Sequence, residues 1–491
     1  MDKKILISCI LFALLFFVIS INNEFELLGD TQDYLAMATS MLEGKPMQDP
    51  SRPYELPLIF HPPLYSAFLA GFFALFGFSY AGAKIVSFIF GILSIIAFYF
   101  LLEKVDVKDK QLILLAYSTS VVLLATSARI LSDTLFMLLF IAGTYFVLEY
   151  VKKEKIIDMS GFIAAALFAL AFYSRVAAAF FMVAVIAYFI LERQPEKGFR
   201  FTQLKKAAFI AVIFGLLILP WLAFYVNSQF LHPSEFEKPG SYLNWATGTW
   251  NEAGYGTLGI AFRIANNLFY YIAEGIPKTI MPILLPAFFY LRNTIAMPIL
   301  LILGFGIFYF FGKALWKKKT SLFGLYIIAY VLFFAIQPAL DDVTFVDRYM
   351  LALLPFLLIF TAEMLGQFNF KNIQLAKPVL IFIILVGAVL SIGYAITLEQ
   401  RMQNEKYVGL KEAISYIAEN TDDKEIVVFE APMHLYLNAR NKAVPTPEIG
   451  GKFGARYAII DGFRSYTVSD FNGFEKVFET LNGTATVYEK K

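Results

Sequence analysis

Apolar runs long enough to cross a bilayer recur along most of this chain, and nothing else in the sequence limits its possible folds so strongly. They fall at 5–21, 84–102, 111–127, 133–151, 161–174, 176–191, 207–226, 297–312, 322–338, 349–367 and 376–397. A helix spanning the hydrocarbon core takes about 20 predominantly apolar residues. Two shorter runs, 64–78 and 278–291, suit interfacial or re-entrant helices. Of the 491 residues, 58% are hydrophobic and 16% charged. Ordinary soluble domains carry roughly 45–50% and about 25%, so a cytosolic globular enzyme is excluded. An aromatic share of 17% suits lipid contact and interfacial belts. A net charge of +2 gives no case for nucleic acid, and a single cysteine, Cys9, permits neither a disulfide framework nor a cysteine metal cluster. The basic head Lys3-Lys4, with no small-residue cleavage site after the first run, reads as an uncleaved first helix.

The positive-inside rule orients these runs. Lys and Arg concentrate at the amino terminus and in the loops 103–110, 152–160, 192–206, 313–320 and 368–377, nineteen of the 41 in all. All six segments fall on the cytoplasmic side only if 64–78 and 278–291 do not cross. The expected fold is therefore an all-α polytopic membrane protein over 1–400. It has eleven full spans, or up to thirteen transmembrane helices if the short ones are counted. The segment 401–491 alternates helix-like and strand-like stretches: a helix at 408–419, strands at 426–429 and 457–461, then a final helix and strand. It is expected to be a small extracytoplasmic α/β domain. The outer face also receives the first loop, 22–83 with its juxtamembrane helices, and the long loop 227–277. No internal repeat is evident, which weakens an inverted-repeat transporter.

Function must rest on the few polar residues at the outer rim. Residues 31–43 carry Leu35, Ala38 and Leu42 at helical spacing and read as an amphipathic helix on the membrane surface. Asp30 stands at its start, either as a capping carboxylate or as a proton acceptor at the bilayer boundary. Asp133, just before a wholly apolar run, is likewise a cap or a second acid facing an outward cavity. Arg129, Arg175 and Arg348 each border a span. A guanidinium there suits a lipid phosphate, while snorkelling or pairing with a neighbour such as Asp347 or Asp342 is the simpler alternative. His61 opens the short helix after 60, where it could touch phosphate; with the distant His232 it makes only a weak metal site.

Taken in order, these motifs resemble a known group. Asp30 with Tyr34, then His61-Pro62-Pro63-Leu64-Tyr65 and Phe76-Gly77, resemble the amino-terminal region of the GT-C glycosyltransferases. Among these, the protein O-mannosyltransferase and aminoarabinose transferase group is most similar. Arg129 to Asp133, and Arg348-Tyr349-Met350-Leu351 before Leu354-Pro355, are similar to later stretches of the same group. The resemblance spans roughly residues 1–400. It implies transfer of a sugar from a polyprenyl- or dolichyl-phosphate donor to an extracytoplasmic protein, lipid or glycan acceptor, with inversion, at the plasma membrane or the endoplasmic reticulum. Asp30 would be the catalytic base and Asp133 would organise a substrate. Arg348 and His61 would hold the donor phosphate, with Tyr34, Arg129, Arg175 and Tyr349 also lining the substrate site. No metal is obligatory in such a reaction, although the resemblance admits a divalent one. Many relatives have an Asp-Glu pair where this chain has Asp30-Thr31, so the nearest second acid is Asp33, on a neighbouring part of the same helix. A flippase of lipid-linked sugars and a surface-polysaccharide polymerase or ligase are the rival readings.

Overall fold

The computed structural model describes residues 1–24, 29–45, 47–54, 56–191, 197–228, 264–291, 294, 296–336, 348–366, 369–370, 373–374, 376–402, 405–429, 432–444, 455–461, 474–480 and 484–490. His232, Asp342 and Asp347 and most of the long loop 227–277 lie outside these residues. The chain is a multi-pass, predominantly helical membrane protein with a small carboxyl-terminal sheet, as its apolar runs require. Six described helices are long and apolar enough to cross a bilayer: Lys3–Ser20, Tyr80–Lys104, Asp133–Val151, Phe201–Val226, Met297–Lys317 and Lys377–Thr397. Shorter apolar helices follow at Leu64–Phe76, Met159–Ser174, Ala178–Leu191, Leu322–Ala335 and Leu354–Gly366.

Three of the expected runs are broken. The run 111–127 divides into Lys110–Ser118 and Val121–Ser127, bent by 43°. The hydroxyls of Ser118 and Thr119 both donate back to the Leu115 carbonyl, competing with helix continuation. The Thr119 carbonyl freed by the bend accepts from Ser391 Oγ at 3.0 Å. The run 278–291 breaks between Ile276–Ile280 and Leu284–Leu291, beside Pro282. The run 349–367 starts as a short 3₁₀ turn, Arg348–Ala352, before Leu354–Gly366.

Contacts divide the chain into two units. The first comprises Met1–Ile21, Ser87–Ala223 and Ser241–Ala395. Its core is aromatic: Phe140 lies 4.1 Å from Phe181, 5.0 Å from Tyr326 and 5.3 Å from Phe356, ring centre to ring centre. Helix Asp133–Val151 packs along Met159–Ser174 because Gly143 and Gly161 leave room for Phe168 and Tyr150.

The second unit joins Asn22–Val86, Phe224–Gly240 and Ile396–Lys491. The carboxyl-terminal segment thus shares a compact body with the first loop. Arg52 Nη1 donates to the Ala443 carbonyl at 3.3 Å, Tyr436 Oη to Glu43 at 2.7 Å, and Lys411 pairs with Glu24. Its five-stranded sheet has Val427–Val428 between Ala443–Val444 and Tyr457–Asp461, both parallel to it. Ala485–Lys490 lies antiparallel beside Tyr457–Asp461, and Phe474–Glu479 forms the edge. The final strand of the sequence reading is thus met by Phe474–Glu479 and Ala485–Lys490, while residues 462–473, where a preceding helix would fall, lie outside the described residues. The helix expected at 408–419 spans Glu405–Asn420.

Candidate functional site

In the second unit, helix Gly29–Leu42 is not the surface amphipathic element that its spacing suggests. Residues 34–40 are all buried, including Thr39 and Ser40, because Leu64–Phe76 and Pro432–Ala439 pack against it. Asp30, Asp33 and Tyr34 occupy positions i, i+3 and i+4 and so share one face. Opposite them stands His61. Pro62 disfavours the helical region for the residue before it, which holds His61 outside Leu64–Phe76. His61 is 9% exposed, and its two ring nitrogens face different partners. Nε2 lies 3.7 Å from Asp30 Oδ1 and 3.4 Å from Asp33 Oδ2, while Nδ1 lies 3.4 Å from the Tyr34 hydroxyl. The ring is wedged between Tyr34 at 4.6 Å and Phe60 at 4.7 Å, and Tyr65 meets Tyr34 edge-on. Two carboxylates thus share one imidazole whose orientation is fixed by aromatic packing.

The Asp33 carboxyl is perturbed by its surroundings. Its side chain keeps 43% of its surface accessible. Desolvation there pushes its carboxyl above the ordinary range, outweighing the opposing pull of His61; the charges of Asp30 and Asp49 add to the rise. Asp49 itself accepts from Ser51 and lies 3.7 Å from buried Arg52. Neither Asp49 nor Arg52 stands out in the sequence, where they sit in a polar loop without periodicity.

The first unit carries a second polar cluster. Asp133 opens its helix and is 5% exposed, but instead of capping the helix its Oδ1 pairs with Arg175 Nη1. Arg175 follows Met159–Ser174, and Ser174 Oγ donates to the Ser132 carbonyl at 3.1 Å, tying the two helix ends together. The guanidinium of Arg175 lies 5.8 Å from the Tyr349 ring centre and that of Arg348 5.1 Å from it. Arg348 Nη2 also donates to the Tyr349 hydroxyl at 3.3 Å. Tyr330 holds the Tyr349 carbonyl, and Phe334 packs on its ring at 5.3 Å. Asp133, Arg175, Arg348 and Tyr349 are thus brought together. Arg129, half-buried in the turn before Asp133, bonds through its backbone to Thr126 and Leu131. Two guanidiniums thus meet at one aromatic ring, and guanidinium is a group that suits an anion. Among the described residues, no set of three or more His, Cys, Asp or Glu side chains is arranged to hold a metal ion.

Residues 60–224 match the family model of dolichyl-phosphate-mannose-protein mannosyltransferases, a stretch that includes His61, Arg129, Asp133 and Arg175. Along nearly its whole length the chain superposes on ArnT from Cupriavidus metallidurans bound to undecaprenyl phosphate. The TM-score is 0.62 at 12% identity, covering 99% of this chain and 98% of that one. The chain has a GT-C fold. It also superposes on the oligosaccharyltransferase AglB from Archaeoglobus fulgidus, in complex with an inhibitory peptide and a dolichol-phosphate. There the TM-score is 0.53 at 13% identity, covering 94% of this chain and 69% of that one. A sequence comparison with curated proteins finds no match. The resemblance read from Asp30 to Leu354 is met by the family model over residues 60–224 and by a likeness of fold along nearly the whole chain.

Proposed function

We propose that this protein transfers a sugar from a polyprenyl- or dolichyl-phosphate carrier to an extracytoplasmic acceptor, with inversion at the anomeric carbon. The observation that carries this reading is the pair Asp30 and Asp33 on one helix face, met by His61 from the loop opposite. The Asp30 carboxylate accepts the proton of the acceptor hydroxyl as its oxygen attacks the anomeric carbon. The bond from that carbon to the phosphate oxygen breaks, and the lipid phosphate leaves with the electron pair. His61 stands within ion-pair distance of both carboxylates, and Asp33, with its raised proton affinity, shares the proton load. In the other unit, Arg175 and Arg348 around Tyr349, with Asp133 positioning Arg175, are suited by themselves to hold a phosphate. Support comes from the GT-C fold, from structures of that fold bound to undecaprenyl phosphate and dolichol-phosphate, and from the inward bias of basic loops.

The test is sugar release from a radiolabelled polyprenyl-phosphate sugar by membranes containing the protein. Asp30→Asn keeps the side-chain shape but removes the proton acceptor. It is expected to lower transfer about 10²–10⁴-fold, while the parent's product carries the inverted anomer by NMR. Transfer at the parental rate by Asp30→Asn would overturn the assignment of the base. A parent that moves the lipid-linked sugar across the bilayer without releasing it would favour the flippase.

A further inference from the structure

The second unit contains a cavity of about 350 Å³ that the catalytic reading does not use, lined by Glu24, Phe78, Ser79, Lys411, Ser415 and Asn438 among others. Its size lies at the small end of the ligand-site range of roughly 300–1,000 Å³. Three features define what it can hold. Among the described lining residues the one cation and the one anion, Lys411 and Glu24, pair with each other, so a phosphate or a free cation would break an ion pair to enter. Its other polar groups have complementary capacity to spare. The Asn438 amide nitrogen already donates to the His434 carbonyl at 2.6 Å and to the Tyr80 hydroxyl at 3.1 Å, which leaves its oxygen as an acceptor. Ser79 Oγ accepts from the Gly82 amide at 2.9 Å, which leaves its hydroxyl proton to donate. Finally, Phe78 is held edge-on by Phe73 at 5.2 Å and by Tyr80 at 4.9 Å, and keeps 38% of its surface exposed.

An open aromatic surface, a paired rather than free charge, and separate donors and acceptors in one cavity match a pyranose. Such a ring has apolar C–H faces and a rim of hydroxyls that each donate and accept. We infer that this cavity binds a neutral saccharide, the non-reacting end of the acceptor. That the occupant is the acceptor rests on the transferase reading above; that it is a saccharide rests on the cavity alone.

The test uses the full chain in lipid nanodiscs, avoiding detergents with sugar head groups, and saturation-transfer NMR with methyl mannoside, methyl glucoside and maltose. Ser415 is exposed on its helix, so Ser415→Trp can fill the cavity without disturbing the core. At least one of the sugars is expected to receive saturation from the parent. Binding is expected to weaken about tenfold or more in Ser415→Trp and in Asn438→Ala, and to persist in Asp30→Asn. Retained binding in both cavity variants, or no binding of any of the three sugars to the parent, would overturn the site. Sugar binding that obeys these variants while Asp30→Asn still transfers sugar would leave the cavity standing and sink the catalytic base instead.

Discussion

Asp33 sits one helical turn past Asp30, and its surroundings make its ionised form costly. Because its folded carboxyl titrates above the unfolded one, the folded state binds that proton more tightly. The cost is therefore full above the raised folded value. It shrinks as pH falls toward the unfolded value of about 3.9. Asp33→Asn should accordingly raise the thermal midpoint at pH 7.5 and lose that advantage near pH 4. A lower midpoint at pH 7.5 would mean that pairing with His61 outweighs desolvation. Asp133 and Arg175 form a buried pair. Each offsets the other's burial, so removing either one leaves a charge poorly solvated. With 19% of the Arg175 side chain accessible, the discounted expectation for Asp133→Asn is about 1–3 kcal/mol of destabilisation. The double variant with Arg175→Gln should cost less than the two single losses summed, as a double-mutant cycle on thermal unfolding can measure.

At the scale of elements, small residues decide how closely the helices approach. A Cβ placed on Gly304, in helix Met297–Lys317, would come within 1.9 Å of the Ala273 carbonyl oxygen, and a backbone group cannot swing aside. Ala273 lies in the π-helical turn Tyr271–Gly275. Close backbone approach at glycine is the usual means of packing helices where lipid offers no hydrophobic drive. Gly304→Ala should destabilise by about 1–3 kcal/mol, whereas Gly306→Ala, with open space at its Cβ, should be nearly neutral; equal losses in a thermal-shift comparison would refute the packing account. The edge strand Phe474–Glu479 shows a different limit. Its charged, aromatic pattern permits a helix in isolation, and pairing with Ala485–Lys490 overrides that propensity. The Asn482-Gly483 dipeptide between the two strands, although outside the described residues, is a hairpin signal in the sequence.

For the whole molecule, the orientation drawn from basic loops has a direct check. In a Cys9→Ala background, Lys317→Cys is expected to stay unlabelled by an impermeant thiol reagent in intact cells and to react after lysis. Labelling in intact cells would invert the topology. Some of the residues counted for that orientation also do structural work. Lys206 is fully buried and donates to the carbonyls of Tyr150 and Val151 and to that of Lys153, satisfying the carboxyl end of helix Asp133–Val151. Charge bias and helix capping thus coincide at one side chain, and a count of basic residues cannot separate them.

The amino-acid order by itself determined that the chain is a helical membrane protein, roughly where its helices run, and which rim residues carry charge. Hydrophobicity sustained over about 20 residues needs no partner to be legible. The i, i+3, i+4 spacing likewise placed Asp30, Asp33 and Tyr34 on one face. Only the tertiary structure decided that this face meets His61, that Asp133 is spent on Arg175, and that the carboxyl-terminal sheet closes against the first loop. Those outcomes depend on contacts between residues far apart in sequence, such as Arg52 with Ala443 and Glu24 with Lys411. Ion pairs and hydrogen bonds gain their strength from burial, and burial is set by whatever element packs opposite, which local spacing does not encode.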